Sequence, residues 1–277
     1  MQVFSDIACA LGEGPLWHPE RRELFWFDIL GKMLYRKGKT EDSWGFDEHV
    51  SAAGWVDRDR LLIASETALW QFDVTTGAQE FLVGLESDTA MTRSNDGRAD
   101  PHGGFWIGTM GKAAEPYAGA IYRYHRGRLE QLFDKITVSN SICFSPDGKI
   151  AYFADTFTRR IQRVELDEAG WPVGRPEVFV DLRPEGLNPD GSVVDGLGNL
   201  WNAQWDASRV ACYAPDGAFL RAVAVPARQT TCPAFGGADM KSLFVTSAAQ
   251  DVDEAQGGMT FVTELDVMGQ CEHQVIL

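Results

Sequence analysis

The 277-residue chain has no CxxC pair, and its cysteines are five scattered residues: Cys9, Cys143, Cys212, Cys232 and Cys271. An odd, dispersed set gives neither a zinc ribbon nor a disulfide framework. It suits a reducing compartment, so a cytoplasmic location is expected. No apolar run approaches the ~20 residues that span a bilayer. The start, MQVFSDIACALGEGP, lacks the basic region and the longer apolar stretch of a secretion signal. Basic residues are scarce: 25 Lys and Arg stand against 40 Asp and Glu, for a net charge of −15. Nucleic acids and anionic membranes recruit clustered cations, so neither is an expected partner. The acidity reads as a solvated surface. There is no GxSxG nucleophile elbow, and no segment carries a sustained helical period with caps.

What the chain does have is repetition. An apolar pair, a turn containing Asp, Asn or Gly, a hydrophobic run and a shorter β-rich run recur six times along it, at intervals of roughly 40–50 residues. The runs FWFDI, LLIAS, FWIGT, IAYFAD and LFVTS are short, aromatic and β-branched, as strands are. PDG, GLGN, GGAD and DVTTG suit the turns of hairpins. The pattern predicts an all-β, six-bladed β-propeller with four-stranded antiparallel blades, filling residues 1–277 as one domain. A strand near Val3–Ile7 is expected to complete the last blade beside a C-terminal strand, His273–Leu277.

Glu13, Asn95, Asn140 and Asp190 each sit beside a glycine-containing turn signal in a different copy, in LGEGPLW, RSNDG, SNSICFSPDG and NPDGSVVDGLGNLW. Placed just before the first strand of a blade, each would point at the mouth of the central channel. Two carboxylates and one or two amide oxygens are hard ligands that suit Ca²⁺, Mg²⁺ or Mn²⁺. One such residue alone is more simply a turn residue. Four in equivalent places argue for a site.

Through RSNDGRADPHGGFWIGTMG, LGEGPLW, SNSICFSPDG…YFADT and NPDGSVVDGLGNLWNA, the chain resembles the senescence-marker-protein/gluconolactonase/regucalcin family of six-bladed propeller lactonases over essentially its full length. The resemblance implies that Glu13, Asn140 and Asp190 are ligands of one divalent metal ion. Ca²⁺ is the first expectation; Zn²⁺, Mg²⁺, Mn²⁺ and Fe²⁺ are alternatives. It implies that Asp190 is also the general base, and that Arg93 and Asn95 bind substrate. The implied reaction is hydrolysis of a sugar-acid lactone to the free aldonate by a metal-activated water, the work of a carboxylic ester hydrolase. A calcium-binding regulatory propeller without catalysis is the alternative, with an arylesterase- or phosphotriesterase-like hydrolase behind it. One departure stands out: Ser141 follows Asn140 where the family usually has Gly.

Other residues carry simpler expectations. Cys9, Cys143 and Cys212 read as small core side chains, whereas Cys232 in TTCPAFGG could face the site. Asp96 and Asp100 are expected to cap an NDGRAD turn, with Asp96 close in sequence to the ligands. Asp155 in FADT divides evenly between a turn role and a contact near the site. His102 reads as a turn residue and His18, in WHP, as exposed. Trp17, Trp106 and Trp201 should pack between blades. The loop KAAEPYAG could cover a pocket.

Overall fold

Aromatic and aliphatic side chains in the strand-like runs are buried on both faces of each strand. Phe25, Trp26 and Phe27 are all fully buried, as are Phe105, Trp106 and Ile107. Such two-sided burial arises when sheets stack face to face. The computed structural model, which describes residues 1–277, has six antiparallel sheets of four strands. They form a six-bladed β-propeller. Residues 12–45, 50–84, 92–136, 139–181 and 188–224 supply blades 1 to 5. Residues 229–264 and the N-terminal strand Gln2–Ser5 supply blade 6.

The inner strands are Gly12–His18, Val50–Trp55, Thr92–Ala99, Ser139–Phe144, Asn188–Val194 and Gln229–Gly236. Each contacts the inner strands of the two neighbouring blades, and the last contacts the first, which closes the ring. Burial follows this geometry: Gln229–Gly236 is buried throughout, while the outer strand Phe219–Ala224 is almost wholly exposed. Trp17 stacks on Phe244 with centroids 5.5 Å apart, Trp106 meets Phe144 edge-on at 5.4 Å, and Trp201 meets Phe235 at 6.0 Å. All three contacts cross a blade boundary, as expected.

Closure differs from the expectation in its partner. Gln2–Ser5 pairs with Thr260–Glu264, Val3 lying opposite Phe261. Residues 273–277 form no strand. They cross the opposite end of the ring, where Val275 N–H donates to the Trp55 carbonyl at 2.9 Å and Ile276 N–H to that of Gly103 at 2.8 Å. Val275 is buried among Ala52, Leu62, Ala99 and Phe105. The apolar alternation of the tail is satisfied by filling the core, not by joining a sheet.

The turns between inner and second strands share one device. Asp57, Asp100, Asp147 and Asp195 each accept backbone N–H bonds from the residues that follow. In blade 1, His18 takes that place. It is fully buried rather than exposed, because Nδ1 accepts from Arg21 N–H at 3.3 Å and Nε2 meets the Asp57 carbonyl of the next blade at 3.0 Å. His102 is a turn residue whose Nε2 lies 2.9 Å from the Gly148 carbonyl.

Candidate active site

An extra residue in every inner strand aims side chains at the axis. The register against the second strand shifts once in each blade, between Glu13 and Leu16, Val50 and Ala52, Ser94 and Gly97, Asn140 and Cys143, Pro189 and Ser192, and Thr230 and Pro233. Such a bulge bends the strand and re-aims a side chain without ending the ladder. Glu13, Asn95, Asn140 and Asp190 therefore lie within inner strands, not ahead of them. The turn-like string NDGRAD belongs to such a strand as well. Asp96 caps no turn: it is buried and accepts the Ile142 N–H of blade 4 at 2.6 Å. Asp100 does hold its turn, and it forms a fully buried ion pair with Arg123.

Two glycines are required by close approach. Gly14 has φ +53, and a Cβ there would lie 2.3 Å from the Ser51 carbonyl oxygen. A Cβ on Gly191 would lie 2.3 Å from Cys232 Sγ. Only glycine fits after Glu13 and after Asp190. Cys232 is buried behind Gly191 and does not line the cavity, and burial raises its thiol pKa well above the usual range.

Glu13, Arg93, Asn95, Asn140 and Asp190 meet at one cavity of about 450 Å³. Arg93 Nη1 donates to the Ser94 carbonyl at 2.8 Å and to Asn95 Oδ1 at 2.7 Å. Asn95 Nδ2 donates to the Ser139 carbonyl at 2.7 Å and to Asn140 Oδ1 at 3.2 Å. Asn140 Nδ2 in turn donates to Thr156 Oγ1 at 2.8 Å. Thr156, a residue the motifs did not single out, passes the chain on to the Pro189 carbonyl at 2.6 Å. Arg93, Asn95, Asn140 and the strand carrying Asp190 are thus one continuous network.

The electrostatics are unusual for a carboxylate pair. Glu13 and Asp190 are both buried and both line the cavity. Burial, then the charge of Asp96, pushes Glu13 up to about 8, against the Gly14 N–H and Arg93 that lower it. Burial, then Glu13, raises Asp190 well above the carboxylate range. Each carboxylate makes the other harder to ionise, as like charges in a buried site do. Asp96 is itself raised to about 6 by burial. Burial lowers Arg93 to about 10, and its hydrogen bonds go to carbonyl and amide oxygens, not to a carboxylate.

A divalent cation would relieve the repulsion between the two carboxylates. No three His, Cys, Asp or Glu side chains cluster as a ligand set. The donors are two carboxylates and the neutral amide oxygen of Asn140, which fits a hard, oxygen-seeking ion and not a closed zinc site. Asp155 resolves as a scaffold residue. It accepts the Thr137, Val138 and Phe157 N–H groups and fixes the entry to the strand that carries Asn140. Asp28 does the same for Ala10 and Leu11 ahead of Glu13. In the KAAEPYAG loop, Lys112, Ala113 and Ala114 line the cavity, whereas Tyr117 is 61% exposed. Lys112 is held at the rim by Glu66 and the Ala90 carbonyl. Trp205 and Gln250 also line the cavity; no local motif marked them, because each comes from a loop or strand end whose neighbours are set by the ring.

The fold and site define a six-bladed propeller with an oxygen-lined cavity at its axis. Comparison with known proteins places it further. The model of the SMP-30/gluconolactonase/LRE-like region matches residues 11–249, and the chain belongs to this family. It is 37% identical to an L-arabinolactonase of Azospirillum brasilense, covering 95% of this chain and 91% of that one. It is 32% identical to a 6-deoxy-6-sulfogluconolactonase of Pseudomonas putida, covering 95% and 94%. The crystal structure of a calcium-binding protein, regucalcin, from Agrobacterium tumefaciens superposes with a TM-score of 0.97 at 40% identity, covering 100% and 97%.

Proposed function

We propose that this chain is a lactonase that hydrolyses a sugar-acid lactone to the free aldonate, using one divalent cation held by Glu13, Asn140 and Asp190. The observation that carries the proposal is the pair of buried carboxylates lining a cavity that also presents an Arg93 free of any carboxylate partner. The names of the relatives support the substrate class. A bound cation polarises a carbonyl oxygen and makes a nearby water more acidic.

The residues divide the remaining work. Arg93 keeps Nε and Nη2 for substrate hydroxyl or ring oxygens, since its internal bonds use Nη1. Asn95 holds Arg93 and Asn140 in register with both ends of its amide. The Asp190 carboxylate takes a proton from water as the water adds to the carbonyl carbon. That proton is then at hand for the ring oxygen as its bond to carbon breaks, which leaves the open-chain hydroxy acid. Leu11, Met110, Val138 and Trp205 wall the cavity with apolar surface and limit bulk water around the reacting carbonyl.

A pH-indicator screen of aldonolactones tests this, using metal-stripped protein with Ca²⁺, Mg²⁺, Mn²⁺, Zn²⁺ or Fe²⁺ added in turn. Turnover that requires a divalent ion and is lost in Glu13→Ala and Asp190→Ala supports the proposal. Full activity in either variant contradicts it. The similarity to a calcium-binding regucalcin favours one second reading, a calcium-binding propeller without catalysis. Ion binding with no hydrolysis of any lactone in the same screen would select it.

A further inference from the structure

The residue after Asn140 is a serine in a conformation that favours glycine. Ser141 has φ +60, and Gly14, the residue after Glu13, has φ +53. The two bulges thus use the same left-handed kink beside a cavity residue, one with glycine and one without. A side chain in this region is strained unless its surroundings hold it there. In Ser141 the hydroxyl supplies that hold. Oγ donates to the Asp190 carbonyl oxygen at 2.5 Å, and it accepts from Ser192 Oγ at 3.0 Å and from Asn202 Nδ2 at 3.2 Å. Asn202 Nδ2 reaches the same Asp190 carbonyl at 3.1 Å. Ser141 and Asn202 are fully buried, and neither lines the cavity. The hydroxyl therefore touches no substrate.

Ser141 belongs to blade 4 and Asp190 to blade 5. The Asn140 side chain is tied to blade 5 a second time, through Thr156 Oγ1 to the Pro189 carbonyl. The Asn140 kink is thus fastened to two successive backbone carbonyls, those of Pro189 and Asp190. We propose that Ser141 is a positioning residue, whose hydroxyl sets the Asn140 amide oxygen against the Asp190 carboxylate and so shapes the cation site. This rests on the cation-dependent reading given above, and it extends that reading to a residue outside the cavity.

The test is Ser141→Gly, which removes the hydroxyl and at the same time relaxes the backbone, with Ser141→Ala as a second variant that removes only the hydroxyl. Mn²⁺ binding to metal-stripped protein is measured by calorimetry, and thermal unfolding is measured without metal. For Ser141→Gly the expected result is a melting temperature equal to or above that of the wild type, with Mn²⁺ affinity reduced about 10-fold or more. Ser141→Ala should show a similar loss of affinity, and kcat should fall more than KM rises in both. Wild-type Mn²⁺ affinity in Ser141→Gly overturns the inference. So does an affinity loss matched by a fall in melting temperature, which marks a merely structural role. A wild-type protein that binds no divalent ion overturns the proposed function itself, and this inference with it.

Discussion

Glu13→Gln should make the metal-free protein more stable while removing its cation site. The substitution keeps the shape of the side chain and removes its charge. In the folded protein Glu13 is raised from 4.5 to about 8. At pH 7 the metal-free fold must therefore take up a proton that the unfolded chain has released. Across the interval from 4.5 to pH 7, at about 1.4 kcal/mol per unit, the penalty is on the order of 3 kcal/mol. Glutamine, which carries no titrating proton, escapes it. The sign is that of a raised carboxyl: the wild-type contribution is full below pH 4.5 and is lost as pH rises through 8. Urea unfolding in EDTA at pH 5, 6 and 7 should show Glu13→Gln gaining on the wild type as pH rises. Saturating Mn²⁺ should reverse the order, because at about 1,000-fold over Kd a ligand stabilises only the protein that binds it, by about 4.1 kcal/mol. A metal-free Glu13→Gln less stable than the wild type at every pH would refute the reasoning. It would make the carboxylate an anchor for the Gly14 N–H, not a ligand held under repulsion.

Three further outcomes follow from named contacts. Arg93→Met should raise KM for a lactone at least 10-fold while leaving Mn²⁺ affinity within a few-fold of wild type, measured by steady-state kinetics and calorimetry. His18 is buried and held below 6.5; its contribution to stability is full above 6.5 and is lost as pH falls through the lowered value. His18→Gln should therefore flatten the dependence of the urea midpoint on pH between 5 and 7. Val275→Ala, in the tail that crosses the ring, should cost about 2 kcal/mol in urea unfolding, a value typical of methyl groups deleted from a packed core, whereas a free tail would show no change.

Much of the architecture was legible because each blade repeats one turn and one apolar run. Asp57, Asp100, Asp147 and Asp195 hold those turns by the same bonds, so the repeat in the chain is a repeat of physical contacts. The meeting of Glu13, Asn140 and Asp190 was legible for the same reason, since the bulge of each inner strand faces one axis, Glu13 and Asn140 standing just before their register shifts and Asp190 within its own. The tail was not. The alternation in EHQVIL looks like a strand, and only the packed ring shows that Val275 has a core slot in place of a ladder partner. NDGRAD misleads locally. Asn-Asp-Gly is a strong turn signal, yet Gly97 lies in a strand, where a Cβ would fall 2.8 Å from the Trp106 carbonyl oxygen. His18 reads as exposed because the carbonyl that holds it belongs to the next blade. The bonds from Ser141 to Asp190 and Asn202 span 49 and 61 residues, a separation over which no local pattern carries information.

Anomalous diffraction from a crystal of the protein soaked in Mn²⁺ bears most directly on whether these distant side chains hold a metal. The account predicts one strong peak on the propeller axis, coordinated by Glu13, Asn140 and Asp190 and lost in Glu13→Gln. An axis without a peak, or an ion bound only elsewhere, would contradict it.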